Sequence, residues 1–263
     1  MNAAAARRLW RGSLAAALVT CGCTEINTGA DHVASLSFDR FPSPAVVAGD
    51  TLRDSLGLAA PLQALAYSNA GDVVAGAPIQ YVALDTGLTI TDGAYVIATR
   101  RGGSVSLVAN AGVIQSQARA LLVTRRPDAV VATSPVVDTV NYVLPDNATI
   151  NRSPGLAVQV VTGDSADGTR VTQGWRVAYQ AVFRGAAVAP GDTSVVFLVD
   201  GANRTAIDTT DATGLASRSL RVRPIGITVS AVDSVIVTAA VTYKGVPVRG
   251  SPVRFVILLQ PKQ

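Results

Sequence analysis

Few side chains in this sequence could do chemistry on another molecule. It holds one histidine, His32, one glutamate, Glu25, and two cysteines, Cys21 and Cys23, and all four fall at or before position 32. The thiols are the strongest nucleophiles of that set. A Ser-His-Asp site would have to recruit His32 from a stretch without strand pattern, whereas a triad needs a held geometry. A zinc site lacks ligands. What remains is aspartate, seventeen of the eighteen acidic residues, so a paired-carboxylate hydrolase or a calcium loop is the sharpest chemical alternative. Asp164-Ser165-Ala166-Asp167-Gly168 places two carboxylates and a glycine in one loop. It lacks the ligand series and terminal glutamate of an EF-hand, so a solvated turn is preferred and no metal is expected. Asp208 and Asp211 flank a strand-to-turn segment, where side-chain capping is the simpler role. Trp175, Val177 and Tyr179 share one face of a strand. That face could stack a sugar ring, but the valine between the rings points to a sandwich core. The chain is read as not an enzyme, with no cofactor.

The cysteines stand in a particular context. Arg7, Arg8 and Arg11 precede the apolar run Leu14 to Val19, and Thr20-Cys21-Gly22-Cys23 follows. Charged region, short apolar region and small residues at a cleavage point form an export leader, and the run is far below the roughly 20 apolar residues that span a bilayer. The segment resembles a bacterial lipoprotein signal peptide. That resemblance implies cleavage, a diacylglyceryl group on the cysteine and attachment to a membrane through that lipid. Cys23 has the small neighbour Gly22, and Cys21 has the aliphatic Leu18 three positions before it. Cleavage before Cys23 discards Cys21 and leaves no free thiol in an oxidising compartment, so Cys23 is favoured, with Cys21 as the alternative.

Without the leader, Lys+Arg falls from 22 to 19 against 18 Asp+Glu, and the formal charge drops from +4 to about +1. The remaining arginines are scattered, and the doublets Arg100-Arg101 and Arg125-Arg126 sit at strand ends, so no nucleic-acid partner is expected. No disulfide can form in the mature chain, and the fold must stand on its apolar core.

The elements that would position anything in this chain are strands. From Val33 onward the apolar residues come in short, β-branched, often alternating runs, such as Tyr95-Val96-Ile97-Ala98-Thr99, separated by Gly, Asn, Asp and Pro. This is an all-β pattern. Ala59 to Ala66 is helix-compatible in composition, but Pro61 interrupts it. The turn Asn69-Ala70-Gly71-Asp72 predicts a hairpin between Leu62 to Ser68 and Ile79 to Leu84, and Asn110-Ala111-Gly112 predicts another between Val105 to Ala109 and Val113 to Val123. Arg125-Arg126-Pro127-Asp128 breaks the pattern and marks a boundary. Beyond it, strands are expected at Thr139 to Leu144, Leu156 to Val161, Arg176 to Phe183, Ser194 to Val199, Leu215 to Val222, Ser234 to Tyr243 and Val253 to Leu259. Phe255, Ile257 and Leu259 share a face that should lie in the core.

Several motifs then resemble known repeats. Val33 to Arg126, with Ala48-Gly49-Asp50-Thr51-Leu52, the Asn69 to Asp72 turn and Pro78-Ile79-Gln80-Tyr81, is similar to a bacterial immunoglobulin-like domain. The family often carries Trp where Tyr81 stands, and Arg53 to Ala60 looks like an insertion. Thr210-Asp211-Ala212-Thr213-Gly214-Leu215-Ala216 resembles the invasin- and intimin-type surface repeats, and Tyr243 to Val253 the closing hairpin of filamin-type repeats. The resemblance implies two tandem immunoglobulin-like β-sandwich domains after a cleaved lipoprotein signal peptide. The expected division is 1–22 signal peptide, 23–32 lipidated tether, 33–126 first domain, 127–134 linker and 135–263 second domain. The implied function is a non-catalytic spacer or adhesion and binding module with a surface protein or glycan as ligand. The alternative is a carbohydrate-binding or accessory subunit of an envelope enzyme complex. The expected place is the cell envelope, with the outer membrane or cell surface favoured over the inner membrane.

Overall fold

The computed structural model describes residues 32–99, 102–163, 170–225 and 233–262, so Cys21, Cys23, Asp164 and Asp167 lie outside the described residues. Every regular element among the described residues is a strand, and they build two hydrophobic cores.

In the first unit Ser35–Ser37 pairs antiparallel with Leu65–Tyr67. The chain then crosses over, and Ala45–Val47 runs parallel to Arg119–Thr124, in a sheet that continues through Gly103–Ala111 to Gln80–Ala83. Alternation within Gly103–Ala111 turns Val105, Leu107 and Ala109 inward, where they meet Leu121, Val123, Leu52 and Val96. Phe38 packs edge-on to Phe41 with centroids 5.3 Å apart and lies 5.5 Å from Tyr81. Tyr81 is thus a partly buried aromatic packed against this core.

The second unit repeats this plan at larger scale. Ala129–Ala132 pairs with Leu156–Thr162 in a sheet completed by Leu215–Val222 and Val196–Asp200. After a crossing, Val137–Tyr142 runs parallel to Val253–Pro261, beside Asp233–Ala240, Arg176–Phe183 and Ala186–Ala187. Phe255, Ile257 and Leu259 are fully buried between the sheets with Val235, Val237 and Val177. Two facing sheets, with an opening strand that starts on one and finishes parallel to the last strand of the other, are the immunoglobulin-like sandwich. The chain contains it twice in tandem.

Val253–Pro261 is apolar on both faces, yet it is flanked on both sides, by Val137–Tyr142 and Asp233–Ala240. It therefore offers no open edge for strand addition.

Three local readings change. The segment 127–134, read as a linker, carries the edge strand Ala129–Ala132, with Ala129 and Val130 buried. Its flanking prolines 127 and 135 read as breaks because proline cannot donate to a ladder, a restriction that an edge strand tolerates at its ends. A fragment starting at Pro135 would lose this strand. Second, Asn69 to Asp72 does not join Leu62 to Ser68 with Ile79 to Leu84 but closes a short hairpin of its own, in which Tyr67 is bridged antiparallel to Val73. Its turn closes locally, Ser68 N–H donating to Asp72 O at 2.9 Å, and the chain then passes from the sheet of Leu65–Tyr67 to that of Gln80–Ala83. Third, Val113 to Val123 is two strands. Ile114–Gln115 folds back on Asn110 and Ala111, and Ser116, whose hydroxyl accepts from Ala109 N–H at 2.9 Å, redirects the chain before Arg119–Thr124.

One buried polar network fixes the far end of the second sandwich. Asn151, wholly buried, accepts from Val143 N–H and donates to Val143 O and Asp146 Oδ1, while Arg221 Nη2 meets Asp146 Oδ1 at 2.7 Å. Burial alone would raise the Asp146 carboxyl, but the Arg221 and Asn151 hydrogen bonds outweigh it and hold the group below its ordinary range.

Candidate functional site

The site begins with a turn. After Ala45–Val47, Gly49 takes a left-handed φ of 79° and Asp50 N–H donates back to Val47 O, so Asp50 projects from the end of the first sandwich. Its Oδ1 accepts from its neighbour Thr51 N–H at 2.8 Å. Arg53 then grips the carboxylate with both ends of its fork, Nη2 to Oδ1 at 2.9 Å and Nε to Oδ2 at 3.1 Å. The third arm of the guanidinium, Nη1, donates to Gly57 O at 3.0 Å and holds the 53–57 loop in place. The Arg53 to Ala60 insertion is therefore an ordered projection, closed by a bridge between Arg53 and Ala59.

The second unit meets this projection with a hairpin. Thr242–Tyr243 pairs with Val246–Pro247 across a two-residue turn in which Lys244 and Gly245 both have positive φ, 54° and 76°, the conformation a tight hairpin demands. Tyr243 donates its hydroxyl to Asp50 Oδ2 at 2.7 Å, and Lys244 Nζ lies 3.4 Å from the same oxygen. Backbone meets backbone beside them: a Cβ on Gly57 would lie 2.1 Å from Gly245 N. Across the same junction Thr124 donates its hydroxyl to Gln173 O at 2.6 Å, and a Cβ on Gly174 would lie 2.4 Å from Leu122 Cδ2. One carboxylate thus binds together loops that are 193 residues apart in sequence.

Trp175 belongs to this junction too. Val177 and Tyr179 are in the core as expected, but Trp175 precedes the strand and is only half-buried at the end of the sandwich. Its Nε1 donates to Thr242 O at 3.2 Å, and its ring lies 6.0 Å from that of Tyr243, tilted by 58°. Trp175, Arg176, Tyr243 and Lys244 line a hollow of about 210 Å³ whose opposite wall is Asp50, Arg53 and Asp54. The sequence offered two signals for this site, the insertion itself and a lysine in a chain with only two, Lys244 and Lys262.

The electrostatics favour a closed junction. Burial would raise the Asp50 carboxyl, but hydrogen bonds from Arg53, Tyr243 and Thr51 overcome it and hold the group well below its ordinary value of 3.8. Burial and the bond to Asp50 push the Tyr243 hydroxyl up to about 12. A depressed carboxyl contributes stability that is complete above its unfolded value and is lost as pH falls through the folded one. A raised tyrosine contributes stability that is complete below its ordinary 10.0 and is lost as pH rises through about 12. Trp175 emission is accordingly expected to stay constant from about pH 5 to 9 and to move to the red only outside that window. A shift near neutrality would show that Asp50 does not hold the junction.

Asp208 and Asp211 are structural. Asp211 Oδ1 accepts from Thr213 N–H and Leu215 N–H and caps the turn, and Asp208 pairs with the buried Arg218 at 2.9 Å. Among the described residues no three His, Cys, Asp or Glu side chains stand together as a metal site.

No family model matches the chain, and no curated protein matches it. Among solved structures it is similar to the adhesin InvE of Yersinia pseudotuberculosis, at 16% identity and a TM-score of 0.31, over 74% of this chain and 52% of that one, so it spans about half of that adhesin's length. It is similar to the D0-D1 domain of intimin at 14% identity and a TM-score of 0.26, over 85% of this chain and 98% of that one. It is also similar to domains 4 and 5 of the S-layer protein SbsC, at 9% identity and a TM-score of 0.26, over 86% and 96% of the two chains.

Proposed function

We propose that the chain is a non-catalytic arm of the bacterial cell envelope, tethered through a lipid on Cys23 and holding two immunoglobulin-like sandwiches as one stiff unit that spaces and presents a binding surface. The observation that supports it is the junction. Asp50 receives donors from both sandwiches, and Gly57 and Gly245 let the two backbones touch. A flexible pair of beads would need none of this, whereas an arm that must reach outward gains from a fixed angle. The lipid half of the reading rests on the leader: Arg7 to Arg11, Leu14 to Val19 and the Gly22-Cys23 step.

Thioether acylation needs the thiol, so Cys23→Ala is expected to leave the chain uncleaved and without lipid, while Cys21→Ala is nearly silent. Mass spectrometry of the mature N-terminus reads the result directly, and a diacylglyceryl group on Cys21 would reverse the assignment. Protease treatment of intact cells then asks whether the arm faces outward. Digestion of both sandwiches is the expected outcome, and complete protection would place the arm on an inner face.

A further inference from the structure

The junction hollow does not end at the junction. A second hollow of about 540 Å³ lies along the second sandwich and, like the first, is lined by Ala178 and Ala240, so the two share a wall. Ala178 and Gln180 project outward from Arg176–Phe183, and Thr238 and Ala240 occupy the corresponding positions of the adjacent strand, giving the middle of the groove a floor of small and neutral side chains. Aromatic rings and cations stand at its two ends. At the junction are Trp175, still partly open, and Arg176, whose guanidinium has no hydrogen bond or ion pair among the described residues. At the far end Arg204 lies 5.3 Å over the ring of Phe197, also without a carboxylate partner among the described residues.

The acids that line the groove are largely engaged. Asp50 serves Arg53, Tyr243 and Lys244. Asp54 accepts from Leu56 and Leu58 N–H, and Asp192 from Ser194 N–H. Two guanidinium groups therefore face the groove with their forks unfilled, and a fork that is planar and always charged fits a carboxylate best. The partly exposed indole of Trp175 beside one of them suits a pyranose ring. The junction hollow is smaller than the roughly 300–1,000 Å³ of a drug-sized pocket, room for about one ring, while the adjoining groove continues the path.

We propose that this groove binds an extended, carboxylate-bearing polysaccharide strand, a uronic-acid polymer, with one ring stacked on Trp175 and its carboxylates held by Arg176 and Arg204. The inference rests on the binding half of the envelope reading and is independent of the lipid anchor.

The test uses the whole chain in mild detergent, with Trp10→Phe so that Trp175 is the only indole whether or not the leader has been cleaved, and hexagalacturonate as probe. Calorimetry is expected to show saturable binding, Trp175 emission to change over the same concentrations, and cellohexaose, which has the same ring size without charge, to bind at least about tenfold more weakly. Arg176→Gln and Arg204→Gln lie outside the Asp50 cluster and are each expected to weaken binding by about tenfold, with far-ultraviolet circular dichroism unchanged. The proposal is overturned by any of three results: no saturable binding, equal affinity for cellohexaose, or binding that leaves Trp175 emission and both arginine variants unaffected. Solution scattering that still reports a stiff arm after such a result would leave the spacer function standing and remove only the groove.

Discussion

Gly57→Val is expected to unclasp the two sandwiches without unfolding either. Two effects act in the same direction. Gly57 has a φ of 82°, and a β-branched residue held in the left-handed region costs about 1–3 kcal/mol. The added Cβ would also sit 2.1 Å from Gly245 N, with Lys244 C at 2.5 Å, and neither obstacle is a side chain that could swing away. The hairpin must retreat, taking Tyr243 and Lys244 from Asp50. Small-angle scattering should register a larger radius of gyration, and Trp175 emission should move to the red, while the far-ultraviolet spectrum keeps its β character. Gly71→Val supplies the control, because Gly71 is equally left-handed but nothing stands within 4 Å of its Cβ position. An unchanged scattering profile for Gly57→Val would mean that the two units are not held through this contact.

Phe255→Ala should act on the second core alone. Phe255 is completely buried on a strand paired on both sides, and a phenylalanine-to-alanine change at such a site costs about 3–5 kcal/mol. A domain stable by only about 5–15 kcal/mol loses a large part of its margin. In denaturant the transition of the second unit should move to much lower concentration while that of the first, whose core contains none of these residues, stays in place. Equal displacement of both transitions would show that the two cores unfold as one cooperative body.

Within each strand the fold was readable to the residue in places. Arg176–Phe183 and Leu215–Val222 begin and end where alternation and turn residues put them, because a strand with one buried face writes its period of two into the sequence. Pairing was less visible. Asn69 to Asp72 has the composition of a hairpin turn, yet the strands it links lie in different sheets, since a turn fixes only its own geometry and not the sheet that the next strand joins. The strand Ala129–Ala132 was hidden by the prolines around it. The junction was least legible. Asp50, Arg53 and Tyr243 are ordinary polar residues in or beside loops, and their meaning comes from a proximity that only the folded chain creates. Trp175 shows the same limit: the period of two placed it with Val177 and Tyr179, but the strand starts one residue later, at the end of the sandwich.

The parallel pairing of first and last strands has a mechanical side. In each sandwich the chain arrives along one strand and leaves along its parallel neighbour, so tension between the two ends slides these strands past each other and loads their hydrogen bonds together instead of one at a time. The first sandwich meets that load with three residue pairs, Ala45 with Leu122 through Val47 with Thr124. The second meets it with six, Val137 with Val256 through Tyr142 with Pro261. Under a steady pull along the chain, the sandwich nearer the N-terminus is expected to give way first and pay out slack, leaving the second sandwich intact.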